Sequence, residues 1–176
     1  VIIFFIKNNI IMANTHFQGM PVVTDGNLPD IGSIAPAFTL IKNDLTKLSL
    51  KDLRGKKVIL NIFPSLDTGV CAASVRRFNK EAASLQNTVV LCISRDLPFA
   101  QARFCGVEGI KNAITVSEYR NNEFSSRYGV MMKNGPLEGL FARCVVIIDE
   151  KGIVRYTQLV DEITTEPDYS AALASL

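Results

Sequence analysis

The chain of 176 residues has a single histidine, and none of its four cysteines forms a Cys-x-x-Cys pair. Cysteines at 71, 92, 105 and 144 leave gaps of 21, 13 and 39 residues. Such spacing weighs against a structural zinc site and against a dithiol pair on one helix turn. His16 is far in sequence from every cysteine, which weighs against a Cys–His catalytic pair and suits packing in a terminal hairpin. A net charge of +2, with the charges scattered, argues against nucleic acid or an anionic membrane as partner. The Arg76-Arg77 pair fits a solvated helix face. No apolar run is long enough to span a bilayer, and there is no internal repeat, low-complexity tract or linker. Residues 1–11 are mostly apolar, but they lack a preceding basic region and a small-x-small cleavage site. They are expected to be an upstream extension before a start at Met12, with export the minority alternative. A cytoplasmic protein is expected, with the periplasm left open.

What is present fits an ordinary globular chain: 48% hydrophobic and 20% charged residues, with enough length for one real core. The expected organisation is an extension (1–11), an N-terminal hairpin (12–28) turning at Gly19, and one domain (29–176). A loop follows from Asn27 to Pro36. Phe38–Ile41 and Lys47–Leu50 suit short strands, and Ser49 with Asp52 suits a brief capped turn stopping at Gly55. Mostly apolar runs at Val58–Phe63, Val89–Ile93 and Ala113–Val116 predict buried strands, and Ala142–Asp149 is a fourth. The last connects through Glu150-Lys151-Gly152 to Ile153–Val160 as an antiparallel hairpin. Helices are predicted from Thr68 to near Gln86-Asn87 and from Asp96-Leu97-Pro98 toward Cys105. A short one ends at Gly129, and a final one runs from Asp168 to Leu176 behind a Thr165-to-Asp168 capping box. The order βαβαβαββα predicts an α/β architecture: a thioredoxin-like fold whose central mixed sheet is flanked by helices and preceded by a β-hairpin.

The most telling stretch is Pro64-Ser65-Leu66-Asp67-Thr68-Gly69-Val70-Cys71. It places Cys71 in the first turn of a helix that follows a buried strand. Unpaired backbone N–H groups and the positive end of the helix dipole gather there and favour a thiolate, the nucleophilic form of cysteine. Thr68, three residues earlier, can cap the helix or hydrogen-bond a substrate oxygen. Pro64 can wall a pocket without offering an N–H.

Held together as Pro-x-x-x-Thr-x-x-Cys behind a strand, these residues resemble the peroxiredoxins, and within them the bacterial thiol peroxidase branch (atypical two-cysteine peroxiredoxins). The resemblance extends through His16-Phe17-Gln18-Gly19, Asn61-Ile62-Phe63-Pro64-Ser65, Asp96-Leu97-Pro98-Phe99-Ala100, Arg103-Phe104-Cys105 and Gln158 to Ile163. It implies that Cys71 is the peroxidatic cysteine, becoming a sulfenic acid, and that Thr68 binds the peroxide. It further implies that Arg143 supplies positive charge beside the sulfur and that Cys105 resolves the sulfenic acid as an intrachain disulfide. From the residues alone Arg54, Arg103, Arg120 and Arg127 compete with Arg143, whose plain alternative is a strand-end charge facing water. The same resemblance implies hydrogen peroxide and alkyl or lipid hydroperoxides as substrates, thioredoxin as reductant, a homodimer, and no metal, haem or flavin cofactor.

Cys92, inside an apolar run, is expected to be a buried inert thiol. Cys144 should point away from the pocket if Arg143 points in, because neighbouring strand residues face opposite sides. Two rival functions stand beside the peroxidase. A thiol–disulfide oxidoreductase is disfavoured by the missing Cys-x-x-Cys. A binding domain with merely structural cysteines predicts that Thr68 and Arg143 are dispensable.

Overall fold

The apolar runs become the middle of a seven-stranded sheet, with the hairpin set apart as a second, two-stranded one. The computed structural model describes residues 13–176; the segment 1–11 and Met12 lie outside the described residues. The hairpin is β1 (Asn14–Phe17) with β2 (Met20–Val23). The main chain then runs through β3 (Thr39–Lys42), β4 (Lys47–Ser49), β5 (Lys57–Ile62), α1 (Gly69–Ala82), β6 (Thr88–Ser94) and α2 (Pro98–Glu108). It continues through β7 (Ala113–Ser117), α3 (Glu123–Tyr128), β8 (Cys144–Ile148), β9 (Val154–Leu159) and α4 (Tyr169–Ala174).

The sheet order is β4-β3-β7-β6-β5-β8-β9. β5, β6 and β7 are parallel to one another, while β8 and β3 join them antiparallel. This is the mixed sheet expected from the sequence. The central strands read as continuous apolar runs because both faces are covered. Ile59, Val90 and Val145 pack with Val75 and Phe78 of α1, Phe104 of α2 and Ala172 of α4. Their neighbours Leu60, Leu91 and Val146 pack with Val22, Phe38, Phe124 and Tyr128 on the opposite side. Full burial of each such aliphatic side chain stabilises the fold by roughly 1.5–3 kcal/mol. The helix-facing side also carries a polar row, because Asn61 pairs with Cys92 and Cys92 with Thr115 in register.

Several boundaries differ from expectation. α1 stops at Ala82 rather than near Gln86-Asn87: the Ala83 and Ser84 amides turn to the Lys80 and Glu81 carbonyls three residues back, and Asn87, at a positive φ of 51°, leads the chain into β6. The cap of α4 is Asp168 alone, whose carboxylate accepts from the Ala171 N–H at 2.9 Å, while the Thr165 hydroxyl turns back to the Glu162 carbonyl. His16 does not pack in the hairpin: it is exposed, and alternation gives the buried position to Thr15. Gly129 ends α3 as expected, at φ +63°, and a Cβ there would meet the Gly26–Asn27 backbone at 2.4 Å.

The hairpin turn has positive φ at both central residues, Gln18 (52°) and Gly19 (76°), the conformation whose twist suits a two-residue hairpin. Glu162 fastens it to the body. Its carboxylate accepts from the Gly19 N–H at 2.9 Å, the Gln18 N–H at 3.0 Å and the Thr164 N–H at 3.0 Å. The Gly19 bond foremost, then those from Thr164 and Gln18, holds the Glu162 carboxyl down at about 2, against an ordinary 4.5. A depressed carboxyl value means that this tether is fully present above pH 4.5 and is lost as pH falls toward 2. Hydrogen-exchange protection of the Gln18 and Gly19 amides should therefore decline across that window. Glu162→Gln should lower it already at pH 6 and remove the pH dependence; equal protection in both proteins would refute the tether.

Candidate active site

The carboxyl end of β5 and the amino end of β8 build one small site, because their antiparallel register sets Ile62 opposite Cys144. That pairing lays the residues after Ile62 beside Arg143. Pro64 is buried where the chain leaves β5, and a turn through Ser65–Thr68 leads into α1. Thr68 occupies the helix N-cap with extended backbone (φ −110°, ψ 144°), but its hydroxyl caps no N–H. It contacts the Cys71 sulfur at 2.7 Å and the Ser65 carbonyl at 3.1 Å instead. One hydroxyl proton serves only one of these at a time. Turned toward the sulfur it suits a thiolate; turned toward the carbonyl it leaves an oxygen lone pair for a thiol S–H.

Cys71 is the third residue of α1 and is fully buried. Arg143 Nη2 donates to its sulfur at 3.3 Å, and Arg143 Nε donates to the Ile163 carbonyl at 2.9 Å. The guanidinium is only 2% exposed, and its Nη1 has no partner. A fixed cation and a hydroxyl on one sulfur stabilise negative charge there and on an oxygen bound beside it. A cleft of about 320 Å³ lies over this turn, bounded by Thr68, Gly69 and Ala72 on one side and Phe104 and Val107 on the other. Clefts of about 470 and 620 Å³ open at the far end of the sheet, around Asp149. The smaller cleft has Thr68 in its wall, with Cys71 buried behind it.

The structure thus brings Thr68 and Arg143 onto the Cys71 sulfur, with Pro64 buried just after β5, and it does not bond Cys105 to Cys71. Cys71 and Cys105 are both free thiols. Cys105 lies in the last turns of α2, partly buried, with its sulfur 3.5 Å from the Thr115 hydroxyl. It is not at the helix terminus: α2 continues to Glu108, and the Cys105 carbonyl accepts from Gly109 and Ile110.

A family model described as "Redoxin" matches residues 30–173. The chain belongs to the redoxin family. Over 165 residues this redoxin is 57% identical to a thiol peroxidase of Corynebacterium glutamicum, covering 94% of this chain and 99% of that one. A crystal structure of a peroxiredoxin-like protein from Aquifex aeolicus superposes with a TM-score of 0.87 at 36% identity, covering 93% and 95% of the two chains. A thiol peroxidase from Chromobacterium violaceum shares the fold, with a TM-score of 0.85 at 20% identity over 92% and 93%. Sequence and fold together put this redoxin with the bacterial thiol peroxidases, as the resemblance in its motifs implied.

The other two cysteines of the redoxin occupy opposite faces of the sheet, both buried. Cys144 packs on the α3 side with Val146 and Ile148, away from Cys71, as strand alternation requires. Burial pushes the Cys92 thiol up to about 12 and the Cys144 thiol higher still. Among the site's neighbours, Ser65 and Asp96 escaped sequence reasoning. Both lie within the stretches that carry the family resemblance, yet no local spacing assigns them a part. A Cys92 thiol at about 12 is ionised in only about one molecule in 10⁵ at pH 7. Iodoacetamide mapping of the folded, reduced protein should accordingly leave Cys92 and Cys144 unlabelled until denaturant is added, with Cys105 labelled first. Early labelling of Cys92 would contradict its burial.

Proposed function

We propose that the redoxin reduces hydrogen peroxide and organic hydroperoxides through Cys71, with Cys105 resolving the product and thioredoxin as the reductant. The observation that carries this is the pair of donors on one buried sulfur: the Thr68 hydroxyl at 2.7 Å and Arg143 Nη2 at 3.3 Å. The Cys71 thiolate attacks one oxygen of the peroxide, the O–O bond breaks, and the departing alkoxide or hydroxide takes a proton to leave as alcohol or water. Cys71 becomes a sulfenic acid. The Thr68 hydroxyl orients the peroxide, and the unpartnered Nη1 of Arg143 stabilises the charge developing on the departing oxygen. Pro64 walls the site without an N–H to compete for that charge.

Cys105 then attacks the oxidised sulfur, expels water and forms a Cys71–Cys105 disulfide, which the thioredoxin dithiol reduces by exchange. A disulfide needs its Cα atoms within about 7 Å; the two sulfurs face Arg143 and Thr115 instead of each other, so in this reading the turns holding them open locally before the bond closes. Partner docking has a suitable surface, since Leu97 (52% exposed), Phe99 (68%) and Val107 (78%) set apolar side chains along α2 beside the cleft. The homodimer implied by the resemblance belongs to this reading, as does the expected cytoplasmic location, since a dithiol reductant favours a reducing compartment. Among the described residues, no helix is long and apolar enough to cross a membrane. Residues 29–176 form the catalytic domain in this reading, with the hairpin as an accessory to it.

Peptide-mapping mass spectrometry of the reduced protein, before and after one equivalent of cumene hydroperoxide, tests both sulfur roles. A linked Cys71–Cys105 peptide with Cys92 and Cys144 free is expected, and an unchanged Cys71 would overturn the proposal. Arg143→Ala should slow the oxidation of Cys71 at least about tenfold, since one charge-stabilising donor is commonly worth a few kcal/mol. Equal rates would return Arg143 to a structural role. Cys105→Ser should accumulate sulfenic acid on Cys71 without a bridge.

A further inference from the structure

The connection from β6 to α2 carries a carboxylate that reaches across to the loop before Cys71. Asp96 accepts from the Ser65 hydroxyl at 2.7 Å, the Leu66 N–H at 2.8 Å and the Ser94 hydroxyl at 2.7 Å. The Ser65 carbonyl in turn accepts the Thr68 N–H at 3.2 Å, and the Thr68 hydroxyl touches the Cys71 sulfur. On the other side, Gln101 donates to the Ser94 hydroxyl at 3.3 Å and to the Val116 carbonyl at 3.0 Å. Gln101 is buried on α2, one turn before Cys105. Asp96 is therefore joined by hydrogen bonds to the turn before Cys71 and, through the Ser94 hydroxyl and Gln101, to the helix that carries Cys105.

We propose that Asp96 is a positioning residue that latches the Cys71 turn to the amino end of α2. It thereby holds the peroxide-reactive geometry and limits how readily the chain opens for disulfide formation. The inference rests on the peroxidase reading. Charge-assisted bonds to a part-buried carboxylate are strong, whereas the other ties between the two segments are weak. The Asp67–Arg103 and Arg76–Glu108 ion pairs, both at 3.1 Å, also link α2 to the Cys71 segment, but solvent screens them. Closing the Cys71–Cys105 bond requires Cys71 to leave Arg143 and Cys105 to leave Thr115. The Asp96 contacts oppose that motion. They also keep Thr68 on the sulfur while peroxide is attacked. Removing the latch should consequently slow the first chemical step and speed the second.

The test is single-turnover oxidation by cumene hydroperoxide, quenched by alkylation and read by mass spectrometry, since the chain has no tryptophan to report by fluorescence. Asp96→Ala should lower the rate of Cys71 oxidation about tenfold, raise the rate of sulfenic acid conversion to disulfide several-fold, and reduce sulfinic acid formation under excess peroxide. Asp96→Asn keeps an oxygen for the Leu66 N–H and an amide group that can donate to the Ser65 hydroxyl oxygen, so it should restore most of both rates. Should Asp96→Ala fail to fold, Ser65→Ala, which removes one of the three contacts, should give the same opposite shifts at smaller size. Unchanged rates in these variants, or both steps slowing together, would overturn the latch while leaving the peroxidase reading intact. Wild type whose Cys71 is never oxidised would overturn both.

Discussion

A guanidinium buried with no carboxylate beside it is the constraint on which this end of the molecule depends. Arg143 is 2% exposed and, among the described residues, forms no salt bridge. Taking such a cation out of water costs several kcal/mol unless partners compensate it. The partners here are the Ile163 carbonyl and the Cys71 sulfur. A neutral thiol offers little to a cation, but a thiolate offers a full charge. The buried arginine and the sulfur that accepts from it are therefore best understood together.

The sheet supplies the rigidity that such a pair needs. Arg143 immediately precedes β8, which is bonded to β5 on one side and β9 on the other, and its own carbonyl accepts from the Val160 N–H at 2.9 Å. Cys71, by contrast, sits on the first turn of a helix reached through a short loop. One partner is fixed by two strands and the other by a few hydrogen bonds. In the proposed cycle this asymmetry matters, because Cys71 is first held and then released. The proposed disulfide requires the helix side to move, and the strand side to stay.

The helix side is correspondingly bound by polar contacts of graded strength. Asn79 of α1 accepts from the Lys111, Asn112 and Ala113 N–H groups through its side-chain oxygen, at 3.0, 2.8 and 3.2 Å, far from the reacting sulfur. Near the sulfur the tie is Asp96, with exposed ion pairs alongside. The apolar packing of Val75, Phe78 and Phe104 beneath the helices is undisturbed by either. A few residues around Thr68 can therefore rearrange without exposing the core.

Local chemistry made a good part of this legible before any coordinates. The runs Val58–Phe63, Val89–Ile93 and Ala113–Val116 read as strands because they are short, rich in Val and Ile, and buried on both faces. The hairpin at Gly19 and the helix end at Gly129 follow from residues that tolerate positive φ, and Cys71 near a helix start follows from its immediate neighbours. Other features have no local signature. Arg143 stands 72 residues from Cys71, and Asp96 stands 30 from Leu66. Strand register and sheet order bring them to the site, and periodicity records neither. His16 shows the same limit, since an exposed ring and a buried Thr15 follow from which face of the hairpin meets residues 160–163. The sequence by itself determined most of the elements and marked Cys71 as the candidate nucleophile, because propensity, turn conformation and helix-end electrostatics act within a few residues. Only the tertiary structure showed an arginine on that sulfur and a carboxylate on the turn before it, because charges act through distance in space, and distance in sequence carries no record of it.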